Sequence, residues 1–398
     1  MNDNRIHVVV VGAGVAGLET ALALDAIARE YVSVEVIAPE SEFTYRPLAV
    51  AEPYQMGEVR RFPLGRLVQA AGAELRNGSL RGVDADAKRA LLTDGQSVAY
   101  DMLVLALGGR PREAVPGALT FKGREDWTGL TDLLERVTAG ELHRLVFAAP
   151  SATGWPLPLY ELAFLASEYL AEHMTRGVEL AIVTAEERPL ALFGTAASTA
   201  IDELLQLRGI HVETAAAAHS WADGTLVLDD GRELPADAVV ALPTLEGPAI
   251  DGIPQDESGF VATDELGGVL HLGDVYAAGD LTQSPIKQGG LAAQQADTVA
   301  TAIAAEAGAP VRPSPYVPVL RGLLLTGMAP RFLRAEGSTS VVDTQPLWWP
   351  PSKIVGRYLS PFLAEHLGLA MTRGGRPDNA VPVEVALDTR DHARWSAV

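Results

Sequence analysis

Cysteine is absent from all 398 residues of the chain. That excludes a disulfide framework, a thiolate metal site and any dithiol redox relay. Basic residues are scarce beside acidic ones, 31 Lys and Arg against 51 Asp and Glu, for a formal net charge of −20. Such a surface repels the phosphates of a nucleic acid and disfavours a broad attachment to anionic lipid. No uninterrupted apolar run reaches about 18 residues, so a transmembrane helix is not expected. The opening MNDNRIHVVVV has no charged n-region, apolar core or cleavage site ahead of its first strand, which leads to an expectation of a cytoplasmic protein. The 8 histidines are scattered without a close pair at ligand spacing, so no metal site is expected. What remains is a chain long enough for two or three domains with ample buried core.

Two motifs carry most of the chemistry. The first, VVVVGAGVAGLETALAL (8–24), reads as a buried strand, a tight glycine turn and a helix. Gly12 permits the turn, Gly14 lets a pyrophosphate approach the backbone, and Gly17 lets the helix pack closely on the strand. Val15 and Ala16 lie between these glycines at the helix start, where free amides and the positive end of the dipole point at phosphate. A second strand, VEVIAP, then delivers Glu40, a carboxylate placed to bond a pair of ribose hydroxyls. The other motif, VYAAGDLTQSPIKQGGLAAQQA (275–296), is a short apolar strand ending in Gly279-Asp280, followed by an Ala-rich helix that begins near Gly289. A third segment, YDMLVLALGGRP (100–111), is a strand that ends at Ala106-Leu107-Gly108.

Taken together, these segments resemble the pyridine nucleotide-disulfide oxidoreductase superfamily, the flavoproteins with two dinucleotide-binding domains, over about residues 5 to 310. The resemblance implies non-covalent FAD. Gly12, Gly14, Val15, Ala16, Gly17 and Glu40 would hold its adenylate half. Ala106, Gly108, Gly279 and Asp280 would line the rest, with Asp280 on the ribityl chain. Where the family has a Thr-Gly pair this chain has Leu107-Gly108, so that threonine contact is missing. The late helix would point its amino end at the flavin edge that becomes negative on reduction. Lys287, Gln288 and Gly289 would border the flavin and a quinone pocket, as in the sulfide:quinone and type II NADH dehydrogenase branch, and Lys287 would stabilise the reduced anion. Gln294 and Gln295 resemble glutamines of the same helix, with a plain helix-surface role as the alternative. Arg46, in Tyr45-Arg46-Pro47, would neutralise FAD phosphates or cover the adenine, or else form a structural salt bridge. Without cysteine, neither dithiol chemistry nor a thioether-linked flavin is available.

Residues 143–243 repeat the alternation of the first domain, as strand LVFAAP, helix LPLYELAFLASEYLAEHM and strand VELAIVTAEE. A second helix (about 195–208), hairpin signals at 222–224 and 229–231, and the strand ADAVVALP follow. The expected fold class is α/β: two Rossmann-like three-layer domains, the first discontinuous, plus a carboxyl-terminal α+β segment. Residues 1–115 and 245–310 would form the FAD domain, 116–244 an NAD(P)-binding-like domain, and 311–398 the last unit. The second domain's fingerprint has eroded to Pro150-Ser151-Ala152-Thr153-Gly154-Trp155-Pro156-Leu157-Pro158. One reading keeps NAD(P)H as substrate, with Glu161 near flavin and nicotinamide as a catalytic group and Glu186 or Glu187 on the ribose. The other makes these acids solvated helix-start and loop residues.

Near the carboxyl end, after a proline-rich linker (311–322) and apparent strands LLLTG and STSVVDTQP, SKIVGRYLSPFLAEHLG presents apolar residues at helical spacing, and Pro361 should kink that helix. Its apolar face either packs on the FAD domain, the favoured reading, or rests on the inner face of a membrane. RGGRPDNA onward reads as a loop, one short strand (VPVEVAL) and a frayed tail. The expected chemistry is ping-pong through one flavin, from a small-molecule donor to an acceptor of the quinone class. A homodimer is compatible with this reading. A flavin-binding redox sensor without turnover is the alternative.

Overall fold

The computed structural model describes residues 5–123, 127–151 and 153–366. Its architecture is mixed α/β, with two five-stranded parallel sheets. The first sheet runs in the order Val275–Ala277, Met102–Leu105, Ile6–Val11, Val32–Ala38, Glu74–Asn77. All its pairings are parallel, with Val8 opposite Met102 and also opposite Val34. The four consecutive valines, Val8 to Val11, follow from this position. A central parallel strand is covered on both faces, so its sequence is continuously apolar rather than alternating. Val8 and Val10 point into the larger core with Leu18, Ala296 and Ile303. Val9 and Val11 point the other way, onto Leu92, Val98 and Val261.

The second sheet runs Leu119–Thr120, Ala238–Ala241, Arg144–Ala148, Glu179–Val183, Ile210–Glu213, again parallel. Helices Leu157–Glu172 and Thr195–Leu207 accompany it. The two hairpin signals are realised as the antiparallel strands Ala218–Ala222, Thr225–Leu228 and Glu233–Pro235. Asp223 and Gly224 both take positive φ (49° and 77°), as a tight two-residue hairpin turn requires.

The carboxyl-terminal segment departs from expectation in two ways. Its antiparallel sheet has three strands, Leu320–Leu324, Arg331–Glu336 and Thr339–Asp343. The middle one, RFLRAE, escaped the sequence pattern because Phe332 and Leu333 are buried on opposite faces, and charges stand on either side of them. The helix expected from residue 354 begins only at Leu359 and, among the described residues, runs to His366. Pro361 therefore falls in its first turn, where a missing N–H costs nothing, and no kink is needed. Residues 352–358 form instead a non-helical strap whose Ile354 joins the main core with Leu359 and Leu363. Tyr358 and Phe362 pack half-buried against the same core. The expected final strand VPVEVAL lies outside the described residues.

Candidate active site

The glycine turn follows the central strand of the first sheet. Gly12 has φ +103°, and a Cβ there would lie 2.4 Å from the carbonyl oxygen of Ala106. A Cβ on Gly17 would lie 1.8 Å from the oxygen of Gly12, so strand and helix touch backbone to backbone. Gly14 is different, since nothing stands within 4 Å of its missing Cβ. The helix Val15–Ala28 starts here without a side-chain cap. The amides of Val15, Ala16 and Gly17 have no carbonyl acceptor within the helix. An open floor lined by outward amides at a positive dipole end is an anion cradle. Glu40, two residues past the second strand, is exposed, as is Arg46 at the short turn Arg46–Leu48.

The late motif abuts this cradle. Its strand pairs with Met102–Leu105, itself the neighbour of Ile6–Val11. A Cβ on Gly279 (φ +81°) would meet the Cβ of Ala16 at 3.1 Å. The expected cofactor residues Gly12, Gly14, Val15, Ala16, Gly17, Ala106 and Gly279 are thus brought to one end of one sheet, with Gly108 two residues beyond Ala106. Gln295 Oε1 accepts from the Gly279 amide at 2.7 Å, holding the late helix on the turn. Asp280 sits in that turn, and burial raises its carboxyl above the ordinary range against the pull of Lys287 and the Gln288 amide.

Lys287 folds back onto its own turn. Its Nζ donates to the carbonyl oxygens of Asp280 (3.1 Å) and Thr282 (2.5 Å) and stands 3.5 Å from the Phe260 ring centre. Burial pushes the ammonium down to about 8, opposed by Asp280 and Asp256. Gln288 caps the helix Gly289–Glu306. Its Oε1 accepts from Leu291 N at 2.8 Å while Nε2 donates to the Arg321 carbonyl at 3.0 Å. Gln294 is bound to Val319 through both ends of its amide. Gln294 and Gln295 therefore pin neighbouring backbone and are not free surface groups.

Glu161 is not solvated, contrary to one of the readings above. It is 1 % exposed and accepts from Lys353 Nζ at 2.5 and 2.6 Å and from the Leu325 amide at 2.9 Å. Burial raises its carboxyl, and the Lys353 charge opposes the rise. Lys353 was missed by the sequence reading. Nothing local marks a lysine in a Trp-Pro-rich stretch as buried, and its partner is distant in the chain. The next residue, Ile354, covers the start of the late helix, its Cγ1 3.0 Å from where a Gly289 Cβ would be. The ion pair is thereby placed beside that helix's amino end.

The corresponding turn in the second sheet is filled. Trp155 packs edge-on against Phe193 at 5.8 Å, and a Cβ on Gly154 would lie 2.9 Å from the Pro285 carbonyl oxygen. Pro156 caps the following helix and Pro158 lies in its first turn, so amides that could face a phosphate are lacking. Glu186, three residues past the second strand, is turned inward, with Oε2 accepting from Tyr160 Oη (2.7 Å) and Thr184 Oγ1 (3.2 Å). Glu187 is exposed. This turn does not fit a dinucleotide pyrophosphate. Among the described residues, no cluster of three His, Asp or Glu could hold a metal, and no helix is long and apolar enough to cross a membrane.

Two parallel sheets, one with an intact glycine cradle joined to a late Gly-Asp turn, define a two-domain dinucleotide-type fold. The chain belongs to the pyridine nucleotide-disulphide oxidoreductase family, whose profile matches residues 6–305. It is 27% identical over 348 residues to the demethylphylloquinone reductase of Synechocystis, covering 80% of this chain and 84% of that one. Identity to an NADH dehydrogenase-like protein of Mycobacterium tuberculosis is 26% over 290 residues, with 69% and 72% covered. In structure it is similar to the sulfide:quinone oxidoreductase of Aquifex aeolicus, with a TM-score of 0.75 at 20% identity over 85% of this chain and 87% of that one. Family and relatives indicate an oxidoreductase, here one without any cysteine.

Proposed function

We propose that the protein is an FAD-dependent oxidoreductase that passes electrons from a small-molecule donor to a quinone. The observation that carries this reading is the junction of the open Gly14 cradle with the Gly279-Asp280 turn at one sheet end. FAD, when bound, supplies two-electron redox chemistry that no side chain here can perform. The chain's own groups bind and orient. The amides of Val15 to Gly17 would take the pyrophosphate, Glu40 the ribose, Arg46 phosphate charge or the adenine face, and Asp280 the ribityl hydroxyls. The amino end of the late helix offers positive potential to the reducible ring, and Lys287 adds a cation beside Asp280.

Lys353 Nζ donates to both oxygens of the buried Glu161 carboxyl, and the next residue, Ile354, touches the start of the late helix. Glu161 keeps the lysine in place through both oxygens and takes its own orientation from the Leu325 amide. The quinone acceptor is supported by the demethylphylloquinone reductase among the relatives. The donor is a reductant other than a nicotinamide seated in the second turn, because that turn is occupied by Trp155 and Pro156.

Anaerobic titration of the FAD-loaded protein tests the reading. Slow bleaching by both NADH and NADPH, with rapid reoxidation by a short-chain quinone after dithionite reduction, is expected. Fast bleaching by either nicotinamide would overturn the donor assignment. No reoxidation by quinone would leave the redox-sensor alternative in possession. Protein that stays colourless and takes up no added FAD would end the proposal.

A further inference from the structure

Glu19 lies one turn beyond the glycine cradle on the helix Val15–Ala28 and is completely buried. It does not face the cradle. Its Oε1 accepts from the Tyr358 amide at 2.8 Å and its Oε2 from the Leu359 amide at 2.7 Å, with the Arg357 amide directed at the same carboxylate. A Cβ on Gly356 would come within 2.4 Å of Oε2, so the strap passes in contact with it. Glu19 therefore caps, from another part of the chain, the amino end of the helix Leu359–His366.

Behind it stands a second acid. Asp297, on the late helix, is within hydrogen-bonding range of Glu19, and its Oδ1 is buried with no donor of its own among the described residues. Two carboxyl groups this close and this dry do not both ionise, so one carries a proton that the pair shares. Burial raises the Glu19 carboxyl and the amides of Tyr358, Leu359 and Arg357 oppose the rise, whereas no amide opposes it at Asp297, which is therefore the better proton holder of the two. The other charged or titratable groups facing the pair are the Arg357 guanidinium and the Tyr358 phenol, both on the strap.

We infer that Glu19 is a positioning residue and Asp297 its proton-carrying partner, together latching the strap 352–358, with Lys353 and Ile354, over the amino end of the late helix. The strap is fit to transmit this. Ser360 Oγ accepts from Gly356 N (2.8 Å) and donates to Ile354 O (2.6 Å), while Tyr45 Oη accepts from Ile354 N (2.8 Å). Releasing residues 356–359 therefore loosens the segment that seats Lys353 against Glu161. The consequence for acceptor access rests on the function proposed above. The latch itself does not.

Burial, then the charge of Glu19, hold Asp297 up to about 8, with Arg357 opposing. The latched form binds this proton more tightly than an opened form with an ordinary carboxyl. Latching is therefore strongest in acid and weakens as pH rises from the carboxylate range to about 8, by up to about tenfold per pH unit, then levels off.

Amide hydrogen exchange at Arg357, Tyr358 and Leu359 in the FAD-loaded full chain, corrected for intrinsic rates, reads the latch directly. Protection should fall by about tenfold per unit towards pH 8 in the unaltered protein. It should be pH-independent in Asp297→Asn, which keeps the shape of the protonated acid. Glu19→Gln should lose at least about tenfold of the protection even in acid. Protection that ignores pH in the unaltered protein, or an Asp297→Asn profile that follows it, would overturn the inference. Should Glu19→Gln fail to fold, those two profiles decide alone. Because amides are read and not turnover, failure of the quinone assignment would leave this result standing, and the reverse also holds.

Discussion

In the first sheet the strand Ile6–Val11 turns through Gly12 and Gly14 into a helix whose first amides face open space. In the second sheet the strand Arg144–Ala148 enters the same kind of turn, through Pro150 to Pro158, and that space is taken by protein. The scaffolds match, with parallel strands, a crossover helix and a following strand with an acid two or three residues past its end. The difference lies in a handful of side chains. Gly14 has nothing within 4 Å of its absent Cβ, whereas Gly154 is pressed against the Pro285 carbonyl. A Rossmann-like unit is thus stable with or without a ligand turn, and the turn alone decides whether phosphate can be held. The filled turn also gains a structural role, since it supports the segment that carries Lys287.

The strongest way to break this comparison is to close the first turn. Gly17→Val would drive a side chain into the Gly12 carbonyl, at a cost on the order of 4 kcal/mol or more. The expected outcome is loss of both cooperative thermal unfolding and flavin absorbance.

A matched pair sharpens it. Gly14→Ala should leave stability within about 1 kcal/mol, since the space is open, while weakening FAD binding by about tenfold or more. Gly154→Ala should do the reverse. It should cost about 1–3 kcal/mol through contact with Pro285 and weaken FAD binding less than Gly14→Ala does. Denaturant unfolding and fluorescence titration with FAD measure the two quantities. Equal effects on FAD affinity would show the two turns to be functionally alike.

The smallest effect concerns Lys287, whose Cγ touches the second turn. Burial lowers it from 10.5 to about 8, so in this window the unfolded chain binds the proton that the folded chain has released. Stability should therefore rise with pH between about 8 and 10.5 by a contribution that Lys287→Met abolishes. Denaturation midpoints across that range, compared between the two proteins, provide the check.

Local patterns made much of this legible. The four valines announce a strand covered on both faces, and the glycine spacing fixes the turn after it. Asp223-Gly224 and Gly231 mark the hairpins. The prolines and tryptophan of the second turn showed its erosion directly. The apolar spacing after Lys353 suggested a helix that starts earlier than the one that forms. Periodicity reports which residues are buried, and here Ile354 is buried on an irregular strap while helix begins only at Leu359. Arg331–Glu336 escaped notice for a related reason, because a strand with both faces partly covered loses the alternation that betrays strands.

Ion pairs and caps were the least visible features. Glu161 and Lys353 are far apart in the chain, as are Glu19 and Leu359, and no spacing rule connects residues at such separations. Glu161 looked equally suited to water or to a cofactor, and it proved to be the buried partner of a lysine with no local signature.

By itself the sequence settled the fold class, the open first turn, the damaged second one and the impossibility of thiol chemistry. Each depends on the covalent character of residues close together in the chain: φ freedom, missing amides, side-chain bulk. Tertiary structure alone decided which acids became partners of which cations and amides. Burial and pairing arise only when distant segments exclude water from one another, and that exclusion shifts the proton affinities of Glu161, Lys287 and Asp297.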